Sequence, residues 1–235
     1  MSSRWRGEGG QHRGGRPYQE DSWAMRPLAD GSLLAVVADG MGGHAGGATA
    51  SKLVVEAMVR AMERQASLPD ALQAANDAVR EGGKGRPDLE GMGSTVVAAL
   101  VRGDDVHWIS VGDSPFYAVS GKTLERLNAD HSMAPQIDAL QARGMLTAEE
   151  AAAHPGRHTL REAVMGQAIK LVDKGSRRLV DGSRLLLCSD GVHSIGDDAI
   201  AARASRPVQE LIDAVLAAGI PHQDNVTVIK LERAP

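Results

Sequence analysis

The sequence lacks the features that would suit it to a membrane, an oxidising compartment or a nucleic acid. Its one cysteine, Cys188, cannot form an internal disulfide, and the apolar run RLLLC around it predicts a buried, unreactive thiol. The polar start has no apolar signal segment, and no run approaches the ~20 apolar residues of a membrane-spanning helix. A net charge of -4 gives no overall attraction to nucleic acid or anionic lipid. We therefore expect a cytoplasmic monomer that binds neither nucleic acid nor membrane.

Aromatic residues are also scarce, so the core has to be built from other side chains. They make up 3% of the chain, whereas 43% of the residues are hydrophobic and 24% are charged. This balance is typical of a globular protein whose core is aliphatic and methionine-rich. At 235 residues the chain is long enough for one substantial core, and we predict a single domain over residues 1–235.

Short apolar runs rich in β-branched residues predict the strands. They are LLAVVAD, STVVAALV, VHWISVGD, FYAVS, RLLLCSD and NVTVIKLE. Turn residues at 103–105 and at 120–122 separate two successive pairs of runs, which is typical of β-hairpins. Hairpins in succession indicate antiparallel sheets rather than a parallel βαβ array.

Three amphipathic stretches predict helices, and together with the hairpins they indicate an α+β fold. Apolar residues recur at helical spacing in GATASKLVVEAMVRAMERQ, while PDALQAANDAVREGG and PVQELIDAVLAAGI begin near proline and end near glycine. Residues 130–160 differ, because they are polar and hold only short helical patterns, one of them opened by a Thr147–Glu150 capping box. We predict a mobile, flap-like insert at about 130–160.

Five aspartates lie where an apolar run meets a turn. They are Asp21, Asp39, Asp113, Asp190 and Asp224. One such aspartate means little, since the residue is common in turns. Gathered at one sheet edge, however, five carboxylates would repel one another, and a divalent cation would relieve that repulsion. Hard oxygen ligands favour Mg²⁺ or Mn²⁺, and zinc is not indicated because no Cys/His set has ligand spacing.

Glycines follow the aspartate in VVADGMGGHAGG. They would let the backbone approach a metal, so that the Gly40 carbonyl could serve as a ligand, and they would leave room for a substrate. The segment also opens a predicted helix, whose N-terminal amides favour an anion. It is not a P-loop, because no Gly-Lys-Ser/Thr follows.

Six segments in order along the chain resemble the protein phosphatase 2C family, the metal-dependent serine/threonine phosphatases, in its compact bacterial form. They are RPYQEDS (16–22), VVADGMGGHAGG (36–47), GMGSTVVAAL (91–100), VGDSPFY (111–117), LLLCSDGV (185–192) and DNVTVI (224–229). The resemblance implies a four-layer α-β-β-α sandwich with two central antiparallel sheets flanked by helices. It also implies hydrolysis of phosphoserine and phosphothreonine in proteins by water activated between two Mn²⁺ or Mg²⁺ ions, roughly 3.5–4 Å apart.

The same resemblance implies which residues hold the ions. The metal-site residues are Glu20, Asp21, Asp39, Gly40, Asp113, Asp190 and Asp224. Asp39 matches the carboxylate that bridges two ions, Asp190 and Asp224 match ligands of one ion, and the Gly40 carbonyl matches a ligand of the other. The acidic pair of the first motif binds metal directly or through water. Asp113, with Asp190, matches a weaker third site of many bacterial members.

Two further residues match the family's catalytic positions besides the bridging Asp39. Arg16 would hold the phosphate through its planar guanidinium. His44 is the candidate general acid for the leaving serine or threonine oxygen. The implied partners are phosphorylated proteins, with a cognate serine/threonine kinase as the opposing enzyme and the insert as the place of partner selectivity.

The chain departs from the family pattern at four places, which leaves two alternatives open. One is the segment QAIKLVDKGSRRLVDGS, which is a poor match to the family's acidic stretch. Gln19 replaces an asparagine, Pro115 replaces the arginine of GDSR, and Arg157-His158 replaces an Arg-Asn pair in the insert. None of these changes removes a core metal ligand. The alternatives are a catalytically weak pseudophosphatase that serves as a binding module, and a phosphatase of a small metabolite.

Overall fold

The computed structural model describes residues 5–43, 45–180 and 182–233. Within these ranges the strands are Trp5–His12 (β1), Ser22–Pro27 (β2), Leu33–Ala38 (β3), Gly40–Met41 (β4), Gly93–Ser94 (β5), Val96–Arg102 (β6), Asp105–Val111 (β7), Phe116–Ser120 (β8), Thr123–Arg126 (β9), Asp173–Arg178 (β10), Arg184–Cys188 (β11) and Val226–Arg233 (β12). The α-helices are Ala45–Glu63 (α1), Leu68–Gly83 (α2), Ala134–Ala142 (α3), Ala148–Ala152 (α4), Gly196–Arg203 (α5) and Val208–Ala217 (α6).

Two antiparallel five-stranded sheets form the centre of the fold. The first has the order β1-β12-β11-β8-β9 and the second the order β10-β7-β6-β3-β2, with β4 and β5 as a separate small pair. The two predicted hairpins are β6–β7 and β8–β9, and their turns contain Gly103 and Gly121 at φ of +61° and +60°. Such left-handed backbone is what tight hairpin turns demand of glycine.

The core is aliphatic and lies in three layers, which confirms the predicted α-β-β-α sandwich. Between the sheets, Val37, Val97, Leu187 and Ile229 pack around Phe116, the one phenylalanine of the chain. Helices α1 and α2 cover the outer face of the second sheet, and α5 and α6 cover that of the first. The site aspartates lie at one end of the two sheets, near the ends of their strands.

Strands β1 and β10 were not among the predicted strands. Both are edge strands with glycines and few apolar residues, so periodicity does not indicate them. Their glycines are covered by large side chains from neighbouring elements: a Cβ on Gly9 would lie 2.6 Å from the Trp23 ring, and one on Gly175 would lie 2.2 Å from the Trp108 ring. The apolar surface that stabilises these strands is therefore supplied from elsewhere in the sequence.

The segment at 130–160 leaves the fold and returns to it at a closed base. Ser132 pairs with Leu160 in an antiparallel bridge, and the Met133 amide donates to the Thr159 carbonyl at 3.0 Å. The Thr147–Glu150 capping box is present at the start of α4, which confirms that prediction. The segment is therefore an excursion from the sandwich, and its mobility stays a prediction.

Two of the expectations drawn from absences can be compared with the structure. Cys188 is fully buried in β11, and that burial raises the pKa of its thiol, as an unreactive cysteine requires. Among the helices of the described residues, none combines the length and the apolar character needed to cross a bilayer.

Candidate active site

The five aspartates come from the ends of strands in both sheets. Asp39 directly follows β3, Asp113 follows β7 after one glycine, and Asp190 follows β11 after one serine, while Asp21 and Asp224 lie just before β2 and β12. Their charges act on one another, because the other four all raise the pKa of Asp39. The structure thus gathers the predicted carboxylates at one end of the sandwich.

Asp39 and Asp190 follow strands of different sheets and influence each other's pKa. Burial raises the pKa of Asp39 well above its usual range, and repulsion from Asp21 and Asp190 adds to that. Burial and the charge of Asp224 also raise the pKa of Asp190, whereas a hydrogen bond with Asp39 lowers it. Both residues keep part of their surface accessible at the mouth of the cluster. The pair is therefore electrostatically unfavourable when both carboxyl groups are ionised.

Asp21 is the most enclosed member of the cluster, at 4% exposure. Its Oδ2 accepts hydrogen bonds from Ser189 Oγ at 2.8 Å and from Thr227 Oγ1 at 2.7 Å. Its Oδ1 is buried and has no hydrogen-bond partner among the described residues. Desolvation outweighs the two hydroxyl bonds and raises the pKa of Asp21 to about 7. A buried oxygen atom without a hydrogen-bond donor destabilises the fold unless a water molecule or a cation binds it.

Asp113 is held through its backbone by an arginine. The Arg126 guanidinium donates to the Asp113 carbonyl oxygen at 2.7 Å and to Asp130 Oδ2 at 3.1 Å. Burial, followed by the charges of Asp190 and Asp130, raises the pKa of the Asp113 carboxyl to about 7, while Arg126 opposes that rise. Because Asp130 begins the insert, Arg126 joins the base of the insert to the loop that carries Asp113.

Asp224 differs from the others because it is paired with a cation. Arg16 Nη2 donates to Asp224 Oδ2 at 2.7 Å, and the two side chains are 45% and 42% exposed. The Asn225 amide donates to the other carboxylate oxygen at 2.8 Å. The predicted phosphate-binding residue thus already contacts a predicted metal ligand.

Close backbone packing explains why the turn after Asp39 is glycine-rich. A Cβ on Gly40 would lie 2.1 Å from the Gly47 carbonyl oxygen, and one on Gly47 would lie 2.5 Å from Glu20 Oε1. The Gly40 amide donates to the Glu20 carbonyl at 3.2 Å. Any larger residue would separate the Glu20 segment from the first turn of α1, so these glycines bring Glu20 and Asp39 to the same place. His44, the candidate general acid, lies outside the described residues.

Several polar residues that fix the cluster were not singled out from the sequence. Asn225 accepts from the Glu20 amide at 2.7 Å and donates to the carbonyls of Arg13 and Tyr18, which ties the first motif to β12. Thr95 Oγ1 accepts from the Asp39 amide at 3.0 Å and is hydrogen-bonded to Ser114 Oγ at 2.6 Å. The adjacency of Asn225 and Thr227 to Asp224 in DNVT was the one signal that could have pointed to some of them.

The departures from the family pattern are accommodated locally. Gln19 Oε1 accepts from the Asp21 amide at 3.0 Å, so the longer amide caps the loop that presents Asp21. The Pro115 carbonyl accepts from the Cys188 amide at 3.0 Å. Arg157 forms a two-point ion pair with Asp138 at 2.7 and 3.2 Å, inside the insert.

The chemistry of the cluster is that of a site for hard cations. Across residues 5–43, 45–180 and 182–233, no three acidic, histidine or cysteine side chains already surround a single point as ligands would. Nevertheless, four carboxyl groups with raised pKa values and one unpartnered buried oxygen are what remains when oxygen ligands lack their cation.

Comparison with known proteins gives the same fold and the same motifs. The chain is 34% identical to the serine/threonine protein phosphatase PstP of Mycobacterium tuberculosis over 213 residues, which cover 85% of this chain and 40% of that protein. It is 30% identical to the serine/threonine phosphatase stp of Listeria welshimeri, over 93% of this chain and 91% of the relative. The crystal structure of the PstP catalytic domain in complex with two manganese ions superposes with a TM-score of 0.82 at 30% identity, covering 98% of this chain and 99% of that one.

The chain spans about 40% of the length of the PstP relatives that it matches, and nearly all of the Listeria relative. A sequence profile described as protein phosphatase 2C matches residues 8–225, which include all five clustered aspartates. The chain therefore belongs to the protein phosphatase 2C family.

Proposed function

We propose that the protein hydrolyses phosphoserine and phosphothreonine in proteins with the help of bound divalent cations. The observation that carries the proposal is the convergence of five aspartates from the ends of strands in both sheets. The similarity to PstP and stp supports the choice of substrate class.

The residues present fit two Mn²⁺ or Mg²⁺ ions. Asp39, Asp190 and Asp224 offer carboxylate oxygens from both sheets, Gly40 offers a carbonyl, and Asp21, which interacts with Asp190 and Asp224, has an unpartnered buried Oδ1. Glu20 packs against the glycine-rich turn that contains Gly40. Asp113 with Asp190 would hold a third ion. When bound, such ions lower the pKa of a water molecule and stabilise the charge that develops on a phosphoryl group.

The remaining steps fall to the chain's own side chains. Arg16 lies at the exposed rim, where its guanidinium can leave Asp224 and hold two phosphate oxygens. Asp39 orients the site from β3, since its amide is fixed by Thr95. His44 would return a proton to the leaving serine or threonine oxygen.

The predictions on partners and organisation belong to this proposal as well. Residues 1–235 would act as one catalytic domain, and the insert at about 130–160 would be a flap that selects the phosphoprotein. Support comes from the closed base of the insert and its link through Arg126 to Asp113. A cognate serine/threonine kinase as the opposing enzyme, a monomeric state and a cytoplasmic location stay predictions.

Turnover of a phosphothreonine peptide and of an aryl phosphate, in Mn²⁺ and in EDTA, tests the proposal. We expect hydrolysis of both substrates with Mn²⁺ and none in EDTA. Asp39→Asn should abolish turnover, whereas Asp88→Asn, which changes an exposed aspartate paired with Arg86, should leave it intact. Equal turnover in EDTA, or full activity of Asp39→Asn, would contradict the proposal.

The two alternatives make different predictions in the same assay. A pseudophosphatase would bind Mn²⁺ weakly or not at all in a calorimetric titration and hydrolyse neither substrate. A metabolite phosphatase would hydrolyse the aryl phosphate but discriminate against the peptide. No observation in the described residues favours either one, because the carboxylate cluster is complete.

A further inference from the structure

A large cavity among the described residues is remote from the carboxylate cluster. Its volume is about 800 Å³, and none of the five clustered aspartates lines it. It lies on the outer face of the second sheet, where the turn between α1 and α2 and the loop after β2 leave strands β6, β7 and β10 partly uncovered. Small-molecule sites in proteins have volumes of roughly 300–1,000 Å³.

The floor of the cavity is apolar. Leu100 on β6 and Ile109 on β7 lie on the same face of the sheet, with Met62 from the end of α1 and Leu68 from the start of α2 beside them. All four are at most 9% exposed. A ligand seated here would therefore gain from burying an aliphatic or aromatic body.

The rim of the cavity carries two basic side chains, Lys174 and His107, without acidic partners in the described part of the chain. Strand register places Lys174 opposite Ile109 and His107 opposite Ser176, so the two basic side chains are diagonal neighbours on one face, about 7–8 Å apart. Neither forms an ion pair within the described residues. The two acidic residues of the lining are already occupied, since Asp30 pairs with Arg102 and Glu63 lies 3.8 Å from Arg26.

A strained residue stands at the same rim. Gln65 has a φ of +64°, which is unusual for a residue other than glycine. It ends α1 in a two-bond turn, with its amide donating to the Met62 carbonyl and the Ala66 amide donating to the Ala61 carbonyl. Glycine is usual at such a position, and strain of this kind often marks binding sites. Here a polar side chain lines the cavity at the cost of a less favourable backbone.

We propose that this cavity is a second binding site, separate from the phosphatase centre, for a small amphipathic carboxylate. Its apolar body would lie on Leu100 and Ile109, and its carboxylate would bind Lys174 and His107. The site goes beyond the proposed function and does not depend on it, because no residue of the carboxylate cluster contributes to it.

Nuclear magnetic resonance titration of the full chain with 4-phenylbutyrate, and in parallel with 4-phenylbutan-1-ol, tests the proposal. We expect shifts confined to the amides around residues 62–68, 107–109 and 174–176. Hydrogen bonds to a charged group are strong, so the carboxylate should bind at least about tenfold more tightly than the alcohol. The double variant Lys174→Met/His107→Gln should remove this difference without changing the affinity for the alcohol.

Two further variants keep the test decisive. Lys122→Met, at an exposed lysine in the β8–β9 turn, should bind 4-phenylbutyrate as the unchanged protein does. Ser176→Trp, on the exposed edge strand, should fill the cavity and abolish binding of both ligands while the circular dichroism spectrum is unaltered. Equal affinity for the carboxylate and the alcohol would show that the cavity recognises only the apolar body, and it would contradict the proposed carboxylate site. Shifts elsewhere, or none at millimolar ligand, would overturn the proposal.

Discussion

The carboxylate cluster has two parts with opposite electrostatic character. Asp21, Asp39, Asp113 and Asp190 form the enclosed part, where burial and mutual repulsion raise all four pKa values. Asp224 with Arg16 forms the outer part, where both side chains are more than 40% exposed and the carboxylate has a cationic partner. The enclosed part is unfavourable without a cation, whereas the outer part is satisfied without one.

This difference indicates that the two parts have different roles in binding cations and substrate. Two hydroxyl groups hold the Asp21 carboxylate and Thr95 holds the Asp39 amide, so part of the enclosed site is fixed before any ion binds. The outer pair is a surface ion pair of the kind that contributes about 0–1 kcal/mol and can be exchanged cheaply. Affinity for cations should therefore come mainly from the enclosed part, and substrate exchange from the outer part.

Asp190→Asn should have the largest effect, because it removes a charge from the enclosed part. We expect turnover to fall at least about a hundredfold, since bound cations supply several kcal/mol of transition-state stabilisation. The metal-free protein should at the same time become more stable, by roughly 2–4 °C in Tm for each kcal/mol of repulsion removed. Kinetic assays and thermal unfolding in EDTA measure the two effects.

The matched change in the outer part is Asp224→Asn. It should also reduce turnover, but it should raise the metal-free Tm less than Asp190→Asn does, because the charge that it removes is exposed and paired with Arg16. If Asp190→Asn lowered the metal-free Tm as well, the enclosed part would not be under electrostatic strain.

Arg126→Met should loosen the enclosed part at Asp113 without touching its carboxylate. Groups that orient metal ligands typically contribute 10–100-fold in metal affinity or activity, and we expect a loss of about tenfold in Mn²⁺ affinity by calorimetry. Hydrogen exchange should also rise at residues 112–114 and at the base of the insert, since Arg126 connects the two.

Arg177→Met provides the control for Arg126. Arg177 pairs with Glu125, the neighbour of Arg126 on β9, at 2.7 Å and on the surface. It should change neither Mn²⁺ affinity nor hydrogen exchange around Asp113. Equal effects of the two variants would mean that Arg126 supports only the β8–β9 hairpin.

The pH dependence of the metal-free protein should report the enclosed part directly. Asp21 and Asp113 have pKa values raised to about 7 in the fold, so the folded state binds more protons than the unfolded state. The free energy of unfolding should therefore fall as the pH rises from about 4 and through 7. Between pH 7 and 8 we expect Tm in EDTA to decrease by a few degrees.

The choice of pH 7–8 avoids an opposing contribution. Burial lowers the pKa values of His131 and His193, so their protonation destabilises the fold below about pH 6.5. With saturating Mn²⁺ the carboxylates would remain ionised, and the decrease in Tm between pH 7 and 8 should disappear. A flat profile in EDTA would contradict the raised pKa values.

The sequence predicts those parts of the fold that carry their own apolar pattern. The runs in β3, β6 and β11 are buried along their whole length or nearly so, and their uninterrupted apolar character identifies them. Strands β1 and β10 escape prediction because Trp23 and Trp108 cover glycines that are distant in sequence. Local periodicity cannot indicate a strand whose apolar partner belongs to another element.

The candidate site was likewise predictable from the sequence only in part. Motifs give the identity of the aspartates, because each lies beside a recognisable strand end. They do not give the pairing of Arg16 with Asp224, which joins residues 208 positions apart, or the interaction of Asp39 with Asp190. Such contacts depend on how the sheets stack, and stacking geometry is not encoded in any one segment.

Arg16→Met should have the smallest effect on metal binding, and its sign distinguishes the two parts of the cluster. Arg16 and a cation compete for Asp224 Oδ2, so removing the guanidinium should raise Mn²⁺ affinity. A surface pair worth about 1 kcal/mol at most limits that gain to roughly fivefold. KM for a phosphothreonine peptide should rise in the same variant, because the two-point grip on phosphate is lost.

Arg16→Lys completes the experiment, since it keeps the charge but loses the planar fork. It should restore competition with Mn²⁺ while leaving the KM defect largely in place. Calorimetry and peptide kinetics on the same preparations measure both quantities. If Arg16→Met instead weakened Mn²⁺ binding, the guanidinium would hold Asp224 in position for the cation, and the outer part would be as preorganised as the enclosed one.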